Sequence, residues 1–196
     1  MISESTFGLP IFKWDEPQKI ATDITKWVNS SQEKTSILFC YSLGKAQRLL
    51  NEVSKTNFIN NIYTHSSIYR MNNCYKKLGI DIIETKKLEQ NKNNSQLKGN
   101  LIILPPALNK SSSLKNFKDI QTGFASGWMS IRALRKRSGY DKGFPISDHA
   151  DWKAILKTIK ESKAKNVFFH HGDSEALAKY LKEKNSINVL EFEYKI

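Results

Sequence analysis

Apolar positions along the chain fall into short runs that alternate with helical periodicities almost throughout. Ile20, Ile24, Trp27 and Val28 follow the rhythm of one helix face, with Asp15 placed to cap it and Pro17 in its first turn, where a missing N–H costs little. Residues 36–41 are expected to be a buried strand, after which Gly44 opens a helix carrying Ala46, Leu49, Leu50 and Val53 on one side. A strand is expected over 59–63, then a helix marked by Ile68, Met71, Tyr75 and Leu78, then a further strand over 80–83. Residues 84–99, rich in Lys, Asn, Gln and Ser, predict an exposed loop. Leu101 to Leu104 is a buried strand that Pro105 and Pro106 end sharply.

This β-α-β-α order predicts an α/β fold with a mostly parallel sheet covered by helices. Character changes after about Phe124, and 131–142 holds Arg132, Arg135, Lys136, Arg137 and Lys142 against Asp141 alone. A helix is expected after His149, with Trp152, Ile155, Leu156 and Ile159 facing inward. A strand over 166–170 follows, with Phe168 and Phe169 on its body and at least one of them buried. Asp173 or Ser174 then caps a helix bearing Ala176, Leu177, Tyr180 and Leu181, and 189–194 reads as a last strand. The chain has no internal repeat.

With 196 residues, 39% hydrophobic and 11% aromatic, the chain is long and apolar enough to bury a core. No apolar run approaches the ~18 residues a membrane span needs. Met1-Ile2-Ser3-Glu4-Ser5-Thr6 lacks a basic segment followed by an apolar one, so no signal peptide is expected. Cys40 and Cys74 both lie in apolar-periodic surroundings and are expected as buried thiols in a reducing cytoplasm. Neither belongs to a Cys-x-x-Cys pair, which excludes a zinc knuckle. The net charge is +12, from 31 Lys and Arg against 19 Asp and Glu. A polyanionic partner would relieve that self-repulsion, and an ordinary lysine-rich solvated surface would equally account for it.

The four histidines are His65, His149, His170 and His171. His149 enters a helix and His171 leaves a strand, and functional groups in α/β sheets gather at such turns. Imidazole can ligate zinc or move a proton near neutral pH, though a lone His at a helix start is more often a hydrogen-bonded structural residue. His170 and His171 are neighbours on a strand exit, so at most one points at any given site. His65 carries the weaker signal.

Three stretches resemble the β-CASP branch of the metallo-β-lactamase superfamily. They are Glu4-Ser5-Thr6-Phe7-Gly8, Ser147-Asp148-His149-Ala150-Asp151, and His171-Gly172 after an apolar strand, in the order of that family's motifs A, B and C. A narrower resemblance, to the bacterial ligase-associated DNA exonucleases, runs over nearly the whole chain. It rests on residues 4–11, on 42–50, on Phe124-Ala125-Ser126-Gly127-Trp128-Met129, on the arginine-rich run that follows, and on Ile146 to Trp152.

The resemblance implies residues 1–14 as the end of a metallo-β-lactamase core, 15–123 as a β-CASP insert, and 124–196 as the part that completes the αββα core. It implies zinc-dependent hydrolysis of phosphodiester bonds, on DNA rather than RNA, in the company of DNA ligase and helicase partners. His171 would ligate zinc, His149 would protonate the leaving oxygen, and Glu4 would hold that imidazolium in place. The family's His-x-His-x-Asp-His motif is absent from this sequence, so two zinc ions would need ligands from a missing N-terminal half, in cis or on a separate chain. An RNA-processing nuclease of the same family and a non-catalytic nucleic-acid-binding module are the alternatives. For nucleic acid, Ser42-Leu43-Gly44-Lys45 could cradle a phosphate or be a plain turn. Arg132, Arg135, Lys136 and Arg137 could track a backbone, and Trp128 could stack a base or sit in the core.

Overall fold

A computed structural model describes residues 1–89, 94–111, 114, 117–185 and 187–190. The chain divides into two compact units, one built from Asp15–Asp148 and the other from Met1–Trp14 together with His149–Ile196.

The continuous unit holds a six-stranded sheet in which every pair is parallel. Its strands are β2 (Thr35–Phe39), β3 (Ile62–Thr64), β4 (Lys86–Lys87), β5 (Leu101–Leu104), β6 (Ile120–Ala125) and β7 (Lys142–Phe144), in the order β4-β3-β5-β2-β6-β7. All five residues of β2 and all four of β5 are buried. Their side chains alternate between two cores. Leu38, Leu101 and Ile103 join a core built on helices α1 (Pro17–Asn29) and α2 (Lys45–Ser54), while Ile37, Phe39, Ile102 and Leu104 join one on the other face. A strand covered on both sides has no polar face to display, which is why these segments read as unbroken apolar runs. The polar Gln121 of β6 is buried between them, donating to Trp27 O at 3.1 Å and Ser36 Oγ at 2.8 Å.

The divided unit holds a three-stranded parallel sheet, β1 (Ile2–Ser3), β8 (Asn166–Phe169) and β9 (Asn188–Leu190), in the order β1-β8-β9. Helices α5 (Trp152–Ser162) and α6 (Glu175–Asn185) supply its core through Trp152, Ile155, Ile159, Leu177 and Leu181, packed with Val167 and Val189. The opposite face carries Ile2, Phe168 and Leu190 in cross-strand register, with Ile2 73% and Leu190 45% exposed.

The continuous unit runs to Asp148, and within it Gly123, Phe124 and Ala125 of β6 pair with β7. Several expectations are corrected. No strand spans 80–83. The edge strand forms instead at Lys86–Lys87, where Leu88 N donates to Thr64 O. Lysines on that edge discourage further pairing. The expected loop over 84–99 therefore contains β4, and its Leu97 is buried. Helix α3 (Ser66–Lys77) buries Ile68 and Asn72, leaving Leu78 and Cys74 exposed on its outer side. Cys40 is a core thiol whose pKa burial pushes up to about 12, as expected of an inert one. Asp15 does not cap α1; it pairs with Lys19 at 2.8 Å. Phe168 and Phe169 are each half-buried, and Val167 is the buried residue of that strand. The expected strand over 189–194 is seen through Leu190, its remainder lying outside the described residues. Among the described residues no helix is long and apolar enough to cross a membrane.

Gly123 marks the tightest layer of the larger core. A Cβ there would lie 3.0 Å from Phe144 Cε2 and 3.1 Å from both Leu38 Cδ1 and Trp27 Cη2. Gly123→Ala is expected to destabilise the protein by about 1–3 kcal/mol, lowering the urea midpoint at unchanged slope. An unchanged midpoint would mean that this layer has room for a methyl group.

Candidate functional site

The divided unit is tied together by backbone. Ser5 N donates to His171 O at 2.6 Å and Ser5 Oγ to the same oxygen at 2.9 Å, while His170 N donates to Ser3 O at 3.1 Å. Gly172 makes this approach possible. It has φ +88°, and a Cβ on it would fall 2.4 Å from Ser5 C and 2.5 Å from Thr6 N. Only glycine fits there, for its conformation and for the space.

Glu4 and His149, 145 positions apart, meet at this join: Glu4 Oε2 lies 3.5 Å from His149 Nδ1. Both are partly exposed, the carboxylate 27% and the imidazole 41%. Thr6 N donates to the same carboxylate oxygen at 2.7 Å. Burial alone would raise the Glu4 pKa, but the Thr6 side chain and amide together with His149 outweigh it and hold the carboxyl below its ordinary value. Phe7 places its ring edge-on to His149, with 5.9 Å between centroids, and edge-on to Phe12 and Trp14.

The segment after His149 is anchored as firmly. Asp151 caps α5, accepting from Ala154 N at 2.8 Å, and its other oxygen accepts from Trp14 N at 3.3 Å. Trp152 N donates to Phe12 O at 3.2 Å. Residues 4–14 thus hold the start of α5, and with it His149, against the exit of β8. Thr6, Asp151 and Gly172, which lie inside the three motifs, build the site around Glu4 and His149. Asp151 sits just before an apolar periodic run, and Gly172 at a strand exit, so each left a legible mark.

The structure brings His171 to the same join through its backbone. Its ring lies 6.5 Å from that of His170, centroid to centroid. Among the described residues no group of three or more His, Cys, Asp or Glu could hold a metal ion. The donor set therefore does not fit a zinc pair.

Lys45 belongs to the other unit and is otherwise employed. Its side chain is buried, 3.0 Å from Asp148 Oδ1 and 4.6 Å above the Tyr41 ring. The turn amides are used as well, Gly44 N by Gln47 Oε1, Lys45 N by Leu43 O and Ala46 N by Tyr41 O. The turn is thus braced by an ion pair between a buried lysine and an exposed aspartate, and the amides of residues 44–46 are engaged within it. His65 is likewise structural. Its Nδ1 accepts from Ser67 N to cap α3, and burial, with Arg70 nearby, lowers its pKa and keeps the ring neutral as an acceptor must be.

The cationic residues lie on α4 (Arg132–Arg137), a helix with no buried residue. None of the ion pairs among the described residues involves Arg132, Arg135, Lys136 or Arg137. Trp128 precedes them on a 3-10 turn, Gly127–Ser130, and is 44% exposed, so it is not a core residue. Lys142 stands apart from this group, its Nζ 5.5 Å over the Phe144 ring.

The chain is an α/β protein of two parallel-sheet units. No family model matches it. It is similar to a protein of Opitutus terrae named as a probable DNA ligase, 25% identical over 186 residues. The match takes in 94% of this chain but spans only 18% of that relative's length.

Because its folded pKa is lowered, Glu4 should add stability above the ordinary glutamate range, lost as pH falls through the folded value. Carboxyl-detected NMR should show Glu4 titrating below other exposed glutamates. In His149→Ala it should move up only partway, since Thr6 remains. A normal Glu4 titration in the intact protein would contradict this geometry.

Proposed function

We propose that this chain is part of an enzyme that acts on DNA, and more specifically part of a metallo-β-lactamase/β-CASP-type nuclease similar to the ligase-associated DNA exonucleases. The observation that carries the reading is the convergence of Glu4, His149 and the His171 backbone on one join. These residues belong to three motifs that run from one end of the sequence to the other. The similarity to a protein named as a DNA ligase supports DNA as the substrate. It covers too little of that protein to carry ligation across.

Hydrolysis of a phosphodiester forms a bond from water oxygen to phosphorus and breaks a phosphorus–oxygen bond, and the departing oxygen needs a proton. The His149 imidazolium would deliver it, with Glu4 balancing its charge and Thr6 and Phe7 fixing both rotamers. His171 would be a zinc ligand only with ligands from polypeptide outside this chain. The apolar row of Ile2, Phe168 and Leu190, with Ile2 and Leu190 exposed at its ends, is in keeping with such a partner segment. That no metal-ligand cluster forms among the described residues also favours a second reading, a nucleic-acid-binding module without catalysis.

The chain alone is expected to leave single- and double-stranded DNA uncut in the presence of zinc. Robust cleavage that chelation stops and His149→Ala abolishes would overturn its dependence on other polypeptide. Binding, by contrast, should be measurable and steeply salt-dependent. Replacing Arg132, Arg135 and Arg137 together by Ala should reduce the slope of log affinity against log salt by roughly 2 to 3, at about 0.7–0.9 per phosphate contact. An unchanged slope removes α4 from the interface and leaves the +12 charge without that partner.

A further inference from the structure

The cations of α4 are not equivalent. Gly143, in edge strand β7, has no side chain, and the aliphatic stem of Arg135 lies where one would be. A Cβ built on Gly143 would come 2.9 Å from both Cγ and Cδ of Arg135 and 3.0 Å from Met129 Cβ. The glycine has an ordinary strand backbone, since it is not among the residues of positive φ. Conformational freedom is therefore not what it supplies. A glycine inside a strand commonly marks a close approach, and here the group approaching is the stem of an exposed arginine. Met129 closes the other side, so an added methyl group could be accommodated only by lifting the stem away.

We propose that Arg135 is a preset phosphate clamp and that Gly143 is the positioning residue that presets it. This rests on the reading of α4 as a nucleic-acid contact. An arginine fork can hold two phosphate oxygens at once, and binding normally requires its long stem to give up rotamer freedom. A stem already laid against β7 has given up much of that freedom before the ligand arrives, so more of the contact energy appears as affinity. Lys142 does not share the surface, because alternation along β7 sends it to the opposite face from Gly143.

The test uses the whole chain and a fluorescein-labelled single-stranded DNA, read by anisotropy at low salt. Gly143→Ala is expected to weaken binding about two- to twelve-fold, the range for losing one pre-ordered side chain. Arg135→Ala should weaken it at least as much, and the double variant no further than Arg135→Ala. In Gly143→Ala the urea midpoint should fall modestly, because the added methyl meets the Cβ of buried Met129 at 3.0 Å as well as the movable Arg135 stem. The 15N relaxation of the Arg135 Nε–H should be that of a restrained group in the unaltered chain, unlike Arg132 and Arg137, and should become mobile in Gly143→Ala. This last measurement on the unaltered chain stands even if the variant does not fold. Equal mobility of the three arginines, or additive losses in the double variant, would overturn the proposal. If the triple arginine variant leaves the salt slope unchanged, the nucleic-acid reading of α4 has failed. If the slope falls but Gly143→Ala binds normally, only the positioning has failed.

Discussion

The site depends on a backbone join between residues 1–6 and residues 166–172. Strand β1 is only two residues long, and two paired residues are a weak hold by themselves. Its hold comes from the hydrogen bonds that follow, two from Ser5 to the His171 carbonyl and one from His170 to Ser3. Gly172 lets the two backbones approach closely enough to make them. Closing a loop of some 160 residues costs only slightly more entropy than closing one of half that length, so a few good contacts can hold it. Once closed, it sets Glu4 beside His149 and leaves the Phe7 ring against the imidazole. No group in this arrangement is positioned by its own local segment alone.

Much of the larger unit was legible because its strands are covered on both faces. Continuous apolar runs at 36–39 and 101–104, each bounded by turn residues, are the pattern a central parallel strand must have. The edges were harder to read. At 80–83 an apolar run lies in the chain, yet the sheet takes Lys86–Lys87 as its last strand. Edge pairing is decided by register against Tyr63 and Thr64, a non-local property that hydropathy does not record. Cys74 and Leu78 failed for a related reason. Helix periodicity identifies a stripe but not its width, and a buried Asn72 hydrogen-bonded to Gln47 and Thr85 occupies the inner face instead.

For the site, motif order pointed to Glu4, His149 and His171, and the residues that hold them lie inside the same motifs without showing how they act. Thr6 acts on Glu4 through its amide and its side chain, and Gly172 acts through the side chain it lacks. Lys45 shows the reverse. Its place at a strand-to-helix turn invited a phosphate, and the fold had already given its charge to Asp148. A charged residue near a turn is informative only when its partners are known, and partners come from tertiary structure.

The split construction of the smaller unit bears on how the protein is made. The segment from Asp15 to Asp148 is continuous and can collapse as soon as it has left the ribosome. Residues 1–14 emerge ahead of it and cannot pair with β8 until that strand is synthesised, more than 150 positions later. At about 5–20 residues per second, that is a wait on the order of ten seconds or more. Throughout it Phe7, Phe12 and Trp14 lack the later-made residues His149, Asp151 and Trp152 that they meet in the fold, so this segment of the nascent chain is a natural client for a chaperone.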